Sequence, residues 1–173
     1  DYNLLSKNNR WTGKFFIHQS FENQKRTDQF AHAAYLMYNV PEFSMVWNHE
    51  WVGKGYNPEL GYLQRPKGYF RIEPQFDYRI YLKNSPINYV ALTLYNDHYW
   101  DQKGKASDRL FQYSTTLSFK STAAVTLNLN RAYTRLYNGG FDPTNTGSKM
   151  LDSNSVYRYN YGSLNFLTNT VKT

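Results

Sequence analysis

Polar and charged residues occupy every second position in one central stretch of the chain, and they are the first candidates for chemistry. They are Arg71, Glu73, Gln75, Asp77 and Arg79. Alternate residues of an extended strand share one face, so Glu73 and Asp77 would lie about 13 Å apart at roughly 3.3 Å per residue. Paired catalytic carboxylates need about 5 to 10 Å. The pattern therefore predicts a ladder of mutually paired charges beside water, not an acid–base pair.

The residue patterns that usually support catalysis or metal binding are missing. The histidines are His18, His32, His49 and His98, and no two of them are four residues apart, as a helical zinc motif requires. There is no Gly-x-Ser-x-Gly elbow, no glycine-rich phosphate loop and no cysteine. A metal site built across strands is a disfavoured alternative. The sequence therefore predicts a chain that is not an enzyme and that holds no metal or cofactor.

The four tryptophans lie near the predicted ends of strands. Trp11 lies near a short turn, whereas three others lie towards longer connections: Trp47, Trp51 and Trp100. Two rings of aromatic residues, one at each end of the strands, are typical of membrane barrels, where they lie at the membrane–water interfaces. The alternative is that these rings stack against sugars. We favour the interfacial interpretation.

The elements that position these residues are strands, because apolar and polar residues alternate along most of the chain. Opposite the charged ladder, the other face of its strand would carry Phe70, Ile72, Phe76, Tyr78 and Ile80. Pro74 has no N–H to donate, which predicts a bulge or a local break. The alternation, in places weaker, predicts about nine strands over residues 2–5, 12–22, 29–40, 43–52, 69–83, 87–100, 109–120, 123–137 and 156–170.

The lengths of the strands and of their connections favour a membrane barrel. Most predicted strands have about 10 to 15 residues, whereas soluble sheets have about five or six and a membrane-spanning strand needs roughly 9 to 11. Short links alternate with longer links over residues 23–28, 53–68, 101–108 and 138–155. Outer-membrane barrels have short periplasmic turns and longer outer loops. The alternation therefore predicts the direction in which the strands cross the membrane.

Composition excludes several classes of protein. The chain has 173 residues, of which 40% are hydrophobic and 18% aromatic, and its mean hydropathy is −0.74. This aromatic content argues against disorder, and no apolar run reaches the roughly 18 residues of a membrane-spanning helix. The net charge of +7 is scattered rather than clustered, so we expect no nucleic-acid partner. Residues 1–173 show no linker and no second domain.

One loop carries a motif that resembles a known family. It contains Tyr56, Asn57, Pro58, Glu59, Gly61, Tyr62 and Arg65. The order aromatic-Asn-Pro-Glu-hydrophobic-Gly-aromatic, followed by Arg, is similar to that of the C-terminal barrel domain, of unknown function, in bacterial outer-membrane proteins. Those proteins also carry an N-terminal carbohydrate-binding-module family-nine-like domain. The resemblance implies an outer-membrane location and no established activity, and any carbohydrate would bind through that N-terminal domain, which this sequence does not contain.

The same loop can be read without the family. Asn57-Pro58 favours a turn, Gly61 permits a positive φ, and Glu59 and Arg65 can pair across the loop. These features predict a self-braced loop at the mouth of a barrel rather than a ligand site.

Together these patterns predict an all-β fold, an antiparallel up-and-down transmembrane β-barrel. The odd strand number and the lack of a terminal aromatic residue predict that it is part of a larger barrel. We expect a non-enzymatic outer-membrane protein that serves as a pore or transport component, or as a structural subunit of an envelope complex. Its expected partners are membrane lipid and other outer-membrane proteins. The alternatives are a soluble β-sandwich that binds carbohydrate and an outer-membrane enzyme such as a lipid hydrolase.

Overall fold

One antiparallel sheet contains all the strands of the described chain. The computed structural model describes residues 1–21, 28–58, 68–136, 146–147, 150–152 and 154–168. The strands are β1 (Tyr2–Leu5), β2 (Trp11–Gln19), β3 (Phe30–Asn39), β4 (Phe43–Val52), β5 (Tyr69–Ile72), β6 (Gln75–Tyr81), β7 (Ile87–Trp100), β8 (Ala106–Phe119), β9 (Ala124–Arg135) and β10 (Val156–Leu167). Consecutive strands are neighbours except for β5 and β6, which share one position between β4 and β7, so the sheet is a meander. The described residues include no helix long and apolar enough to cross a membrane.

β5 and β6 are two halves of one long strand, interrupted at Pro74. Both halves lie between β4 and β7 and keep a single register with each of them. Glu73 still exchanges two backbone hydrogen bonds with Asn48, and Pro74 accepts a bond of 3.0 Å from the Asn96 amide. The missing N–H of Pro74 therefore interrupts the ladder without shifting it. The predicted break is confirmed, and it accounts for ten strands where the sequence predicts about nine.

The two faces of the sheet differ in chemistry, because directly paired residues share a face. Asp77 begins a row that we assign to the polar face, which runs through Ser44, Thr93, Ser114, Asn128 and Ser163. Phe76 begins a row of the apolar face, which runs through Met45, Leu94, Tyr113 and Leu129. The alternation read from the sequence therefore extends from β4 to β9.

The apolar face is the more exposed of the two. Phe76 and Tyr78 are 39% and 52% exposed, and Leu129 is 50% exposed, whereas its neighbour Asn130 on the polar face is 8% exposed. Apart from Val52, the buried residues are small or polar, and among the described residues no large side chain is fully buried. Soluble domains show the reverse arrangement, with large apolar side chains inside. The described sheet therefore has no hydrophobic core of its own.

The sheet is open among the described residues. β1 pairs only with β2, and β10 pairs only with β9, over twelve residues. The second edge of β10 is unpaired, and most of its side chains are exposed. An unpaired edge presents N–H and C=O groups to whatever surrounds it.

Among the connections whose residues are all described, one differs from the sequence prediction. Residues 101–108 are predicted to form a longer link, but β8 begins at Ala106 and only residues 101–105 connect it to β7. The Asp101 carboxylate accepts bonds from the Lys103 and Lys105 amides, both at 2.9 Å, and Gly104 adopts a positive φ of 75°. This local bonding closes a tight turn. The prediction of a longer link was therefore wrong at this position.

Candidate functional site

Arg71 on the polar face is the centre of a charged cluster, which we call the Arg71 cluster (Arg71, Glu50, Glu73 and Asp97). Its guanidinium donates two bonds to Asp97, of 2.7 and 3.0 Å. It also lies 2.9 Å from the Glu73 carboxylate and 3.3 Å from Glu50. The Arg71 side chain is 17% exposed, and the three carboxylates are 28% exposed or less. One arginine therefore holds three partly sheltered carboxylates, and the cluster keeps a net negative charge.

Three further side chains hold the carboxylates of the Arg71 cluster in place. The Tyr95 hydroxyl donates to Glu73 at 2.5 Å, and the Asn48 amide donates to Glu73 at 2.9 Å. The Tyr69 hydroxyl donates to Glu50 at 2.8 Å. These donors come from β4, β5 and β7, so the pairing register of three strands assembles the cluster. Bonds to a charged acceptor are stronger than neutral ones and fix the side chains.

The rest of the charged ladder is only partly joined to this cluster. Asp77 accepts bonds from Ser44, Gln75 and Thr93, at 3.0, 2.9 and 2.6 Å. Arg79 instead donates to the Pro41 carbonyl at 3.4 Å. The sequence therefore predicted correctly that polar residues share this face, but Asp77 is held by neutral donors rather than by an arginine.

The network of polar side chains continues towards β10. Ser114 donates to the Asn128 carboxamide oxygen at 2.6 Å, and the Asn128 amide donates to Ser163 at 3.1 Å. In the next row, the hydroxyls of Thr116 and Thr126 are 2.9 Å apart. Polar groups in contact across several strands make this face suitable for contact with water.

A cavity of about 400 Å³ opens on the polar face beside the Arg71 cluster. Ala31 and Ala33 are small and buried, which leaves room there, and Phe16, Tyr69 and Glu50 line its sides. Tyr56 and Pro58 also line the cavity. The backbone bond from Gly53 to Phe30, at 2.9 Å, and that from Gly55 to Asp28, at 3.1 Å, fix the chain that leads to these two residues.

The carboxylates of the polar face are held by neighbouring side chains. The carboxylates of the Arg71 cluster and of Asp77 are engaged by hydrogen-bond donors. Within the described ranges no three His, Asp or Glu side chains converge as metal ligands. His32 and His49 do approach, with ring centroids 5.5 Å apart, but on the apolar face. A polar surface of this kind can contact water and solutes.

Glu50, Asp97 and Tyr95 are the residues that sequence reasoning missed. Each lies on the polar side of its own strand, and the alternation of polar and apolar residues predicts that side. Their approach to Arg71 depends on how β4, β5 and β7 are paired, which alternation does not determine.

Three tryptophans lie at the two ends of the sheet, as the sequence predicts. Trp11 contacts Tyr38 next to the short turn that follows β1, with ring centroids 4.8 Å apart. At the opposite end, Phe70 lies between Trp51 and Trp100, at centroid distances of 6.1 and 5.7 Å. Trp47, by contrast, lies in the middle of β4, where its indole donates to His49 at 3.1 Å. An interfacial role for these rings stays a prediction.

The loop motif is only partly within the described chain. Tyr56, Asn57 and Pro58 are described, and the Asn57 amide donates to the Ser20 hydroxyl at 3.2 Å. The remaining motif residues lie outside the described residues: Glu59, Gly61, Tyr62 and Arg65. The family resemblance based on this motif stays a prediction. No family model, no curated protein and no solved structure matches this chain.

Proposed function

We propose that this chain forms part of an outer-membrane β-barrel whose polar face surrounds an aqueous interior and whose apolar face contacts lipid. One observation carries the proposal: from β4 to β9, large apolar side chains of one face are exposed while polar side chains of the other are sheltered, and the described sheet fully buries no large side chain. Lipid in place of water outside the sheet accounts for that inversion. The protein acts without catalysis, as a pore or transport component or as a structural subunit of an envelope complex.

The exposed apolar residues form a stripe that crosses the strands at a slant, and this slant supports the proposal. On β2 the exposed apolar residues include Phe15, and successive strand pairs lead from Phe15 in six steps to Tyr133 on β9. The exposed large apolar residues of β9 are Leu127 and Leu129, six and four residues from Tyr133. A displacement of about 13 to 20 Å along the strand and roughly 29 Å across the sheet gives a tilt of about 24 to 35°. The upper value reaches the tilt of about 35 to 45° that strands of membrane barrels adopt.

The charges of the polar face indicate which solutes the proposed pore would favour. Near the Arg71 cluster this face carries four carboxylates, Glu50, Glu73, Asp77 and Asp97, against the guanidiniums of Arg71 and Arg79. An interior with excess carboxylates attracts cations and repels anions. The proposed pore would therefore favour cationic solutes, although the whole chain is basic.

The unpaired edges of the sheet indicate that the proposed barrel needs further strands. Backbone groups inside a bilayer must be paired within the protein, and the outer edge of β10 has no partner strand in the described chain. The proposal therefore requires further strands beside β1 and β10, from the same polypeptide or from another outer-membrane protein. The rival, a soluble carbohydrate-binding sandwich, requires two sheets packed face to face, whereas all described strands belong to one sheet.

Membrane fractionation tests the proposal. We expect the chain, expressed with an export signal in a Gram-negative host, to stay in the outer-membrane pellet after washing with alkaline carbonate and with urea. Detergent should then release it, because a lipid-facing belt needs an amphiphile to replace the bilayer. A peripheral envelope protein in the same preparation serves as the control that washing removes. Recovery of the chain in the aqueous fraction without detergent would make the proposal wrong.

A further inference from the structure

Three arginines gather on the apolar face at one end of β8, β9 and β10. Arg109 and Arg158 are paired with Tyr133 from either side, and Arg131 lies two residues before Tyr133 on the same strand. The guanidinium carbons of Arg109 and Arg158 lie 5.5 and 5.8 Å from the centre of the Tyr133 ring. We call Arg109, Arg131 and Arg158 the arginine cluster.

Among the described residues, no carboxylate forms an ion pair with the arginine cluster. The carboxylates of the described strands all lie on the polar face: Glu50, Glu73, Asp77, Asp97 and Asp108. Three like charges within a few strand widths repel one another unless an anion neutralises them. The planar guanidinium fork binds phosphate oxygens in pairs.

A cavity and a neighbouring groove lie at the arginine cluster, and together they have the shape of a lipid-binding site. The cavity, of about 360 Å³, is lined by the arginine cluster together with His98, Phe111 and Tyr133. A groove of about 450 Å³ adjoins it, because Phe111 and Arg131 line both. Leu129 also lines the groove, together with Gly162, which lies directly opposite it on β10. A Cβ at Gly162 would lie 3.2 Å from the Asn128 carbonyl oxygen and 3.5 Å from Leu129 Cδ2, so a larger residue would narrow the groove. A cationic cavity beside an apolar groove fits a molecule with a phosphate head and a hydrocarbon tail.

We propose that the arginine cluster binds the phosphate group of an anionic membrane lipid, with an acyl chain in the groove formed by Phe111, Leu129 and Gly162. This inference rests on the proposed function, since only a lipid-facing surface meets such a molecule. Along β9, Arg131 immediately follows the exposed apolar residues Leu127 and Leu129 towards the long link after β9. That position is the level of lipid head groups in the leaflet on the long-loop side.

Lipid binding by the full chain in neutral detergent tests this inference. The probes are a bisphosphorylated glucosamine lipid (lipid A), its dephosphorylated form and inorganic phosphate, with bound lipid counted by native mass spectrometry. We expect R109Q/R131Q/R158Q to weaken binding of the phosphorylated lipid by about a hundredfold, and R131Q alone by about tenfold, because each lost guanidinium removes charge-assisted bonds. The matched control K7Q/R10Q/K83Q removes the same charge at short-turn connections and should bind as the unmodified chain does.

Three outcomes would overturn the inference: unchanged binding by the triple variant, equal binding of the dephosphorylated lipid, or inorganic phosphate displacing the lipid at equal concentration. The last would mean a site for free anions. If the triple variant does not fold, an unchanged affinity of R131Q for the phosphorylated lipid would overturn the inference instead. Failure of the proposed function is distinguishable, because the chain would then leave the membrane pellet without detergent, whereas failure of this inference alone leaves membrane retention intact.

Discussion

Replacing Leu127 with arginine should destabilise the membrane-inserted protein by about 2 to 4 kcal/mol, the cost of a lipid-facing cation near the bilayer centre. Leu127 is 40% exposed on the apolar face of β9 and belongs to its apolar stripe. If that face met water, a charge at such an exposed position would change stability by less than about 0.5 kcal/mol. Reversible urea unfolding in phospholipid vesicles measures the difference.

The neighbouring substitution Thr126→Arg is the matched control for Leu127→Arg. Thr126 lies on the polar face, where its hydroxyl is 2.9 Å from that of Thr116. We expect this variant to lose only about 1 kcal/mol, for one neutral hydrogen bond, because the new charge enters water. Equal costs for the two variants would contradict the assignment of lipid to the apolar face.

Replacing Arg71 with methionine should cost on the order of 3 kcal/mol, since it leaves partly sheltered carboxylates without their cation. Glu50, Glu73 and Asp97 all lie within 3.3 Å of the Arg71 guanidinium. Arg79→Met is the control on the same face, because Arg79 makes a single bond of 3.4 Å to the Pro41 carbonyl. That control should change the free energy of unfolding by less than about 1 kcal/mol.

A double-mutant cycle separates the charge effect in Arg71→Met from lost packing. Asp97 accepts two hydrogen bonds from Arg71, including its shortest, at 2.7 Å, so Asp97→Asn should relieve much of the damage caused by Arg71→Met. We expect an interaction energy of about 1 to 3 kcal/mol between the two positions. An interaction of only a few tenths would show that the carboxylates do not depend on Arg71.

Alternation made most of the fold predictable. The apolar residues Phe76, Tyr78 and Ile80 fix which side of their strand is apolar, and a shift by one residue would reverse the faces. Pro74 marked the interruption between β5 and β6 because it lacks an N–H. The tight turn at 101–105 was missed although its signals, Asp101 and Gly104, are in the sequence. The alternation predicts that β8 begins at Arg109, whereas it begins at Ala106, so the predicted connection is three residues too long.

The candidate site was less predictable than the fold. Arg71 and Glu73 are two residues apart, so their proximity follows from one strand alone. Glu50 and Asp97 come from other strands, and their approach to Arg71 depends on the pairing of β4, β5 and β7. The arginine cluster could not be predicted for the same reason, since its three members come from three strands. Single-strand patterns give the phase of each side chain but not its cross-strand neighbour.

Single-cysteine labelling in intact outer membranes tests the central claim, that one face meets water and the other meets lipid. The chain has no cysteine of its own, so each variant carries one thiol. We predict that a water-soluble maleimide labels Gln75→Cys and Thr126→Cys at least about tenfold faster than Phe76→Cys and Leu127→Cys, because lipid excludes the reagent from the apolar face. Detergent solubilisation should narrow the difference. Equally fast labelling of all four positions before detergent is added would contradict the account.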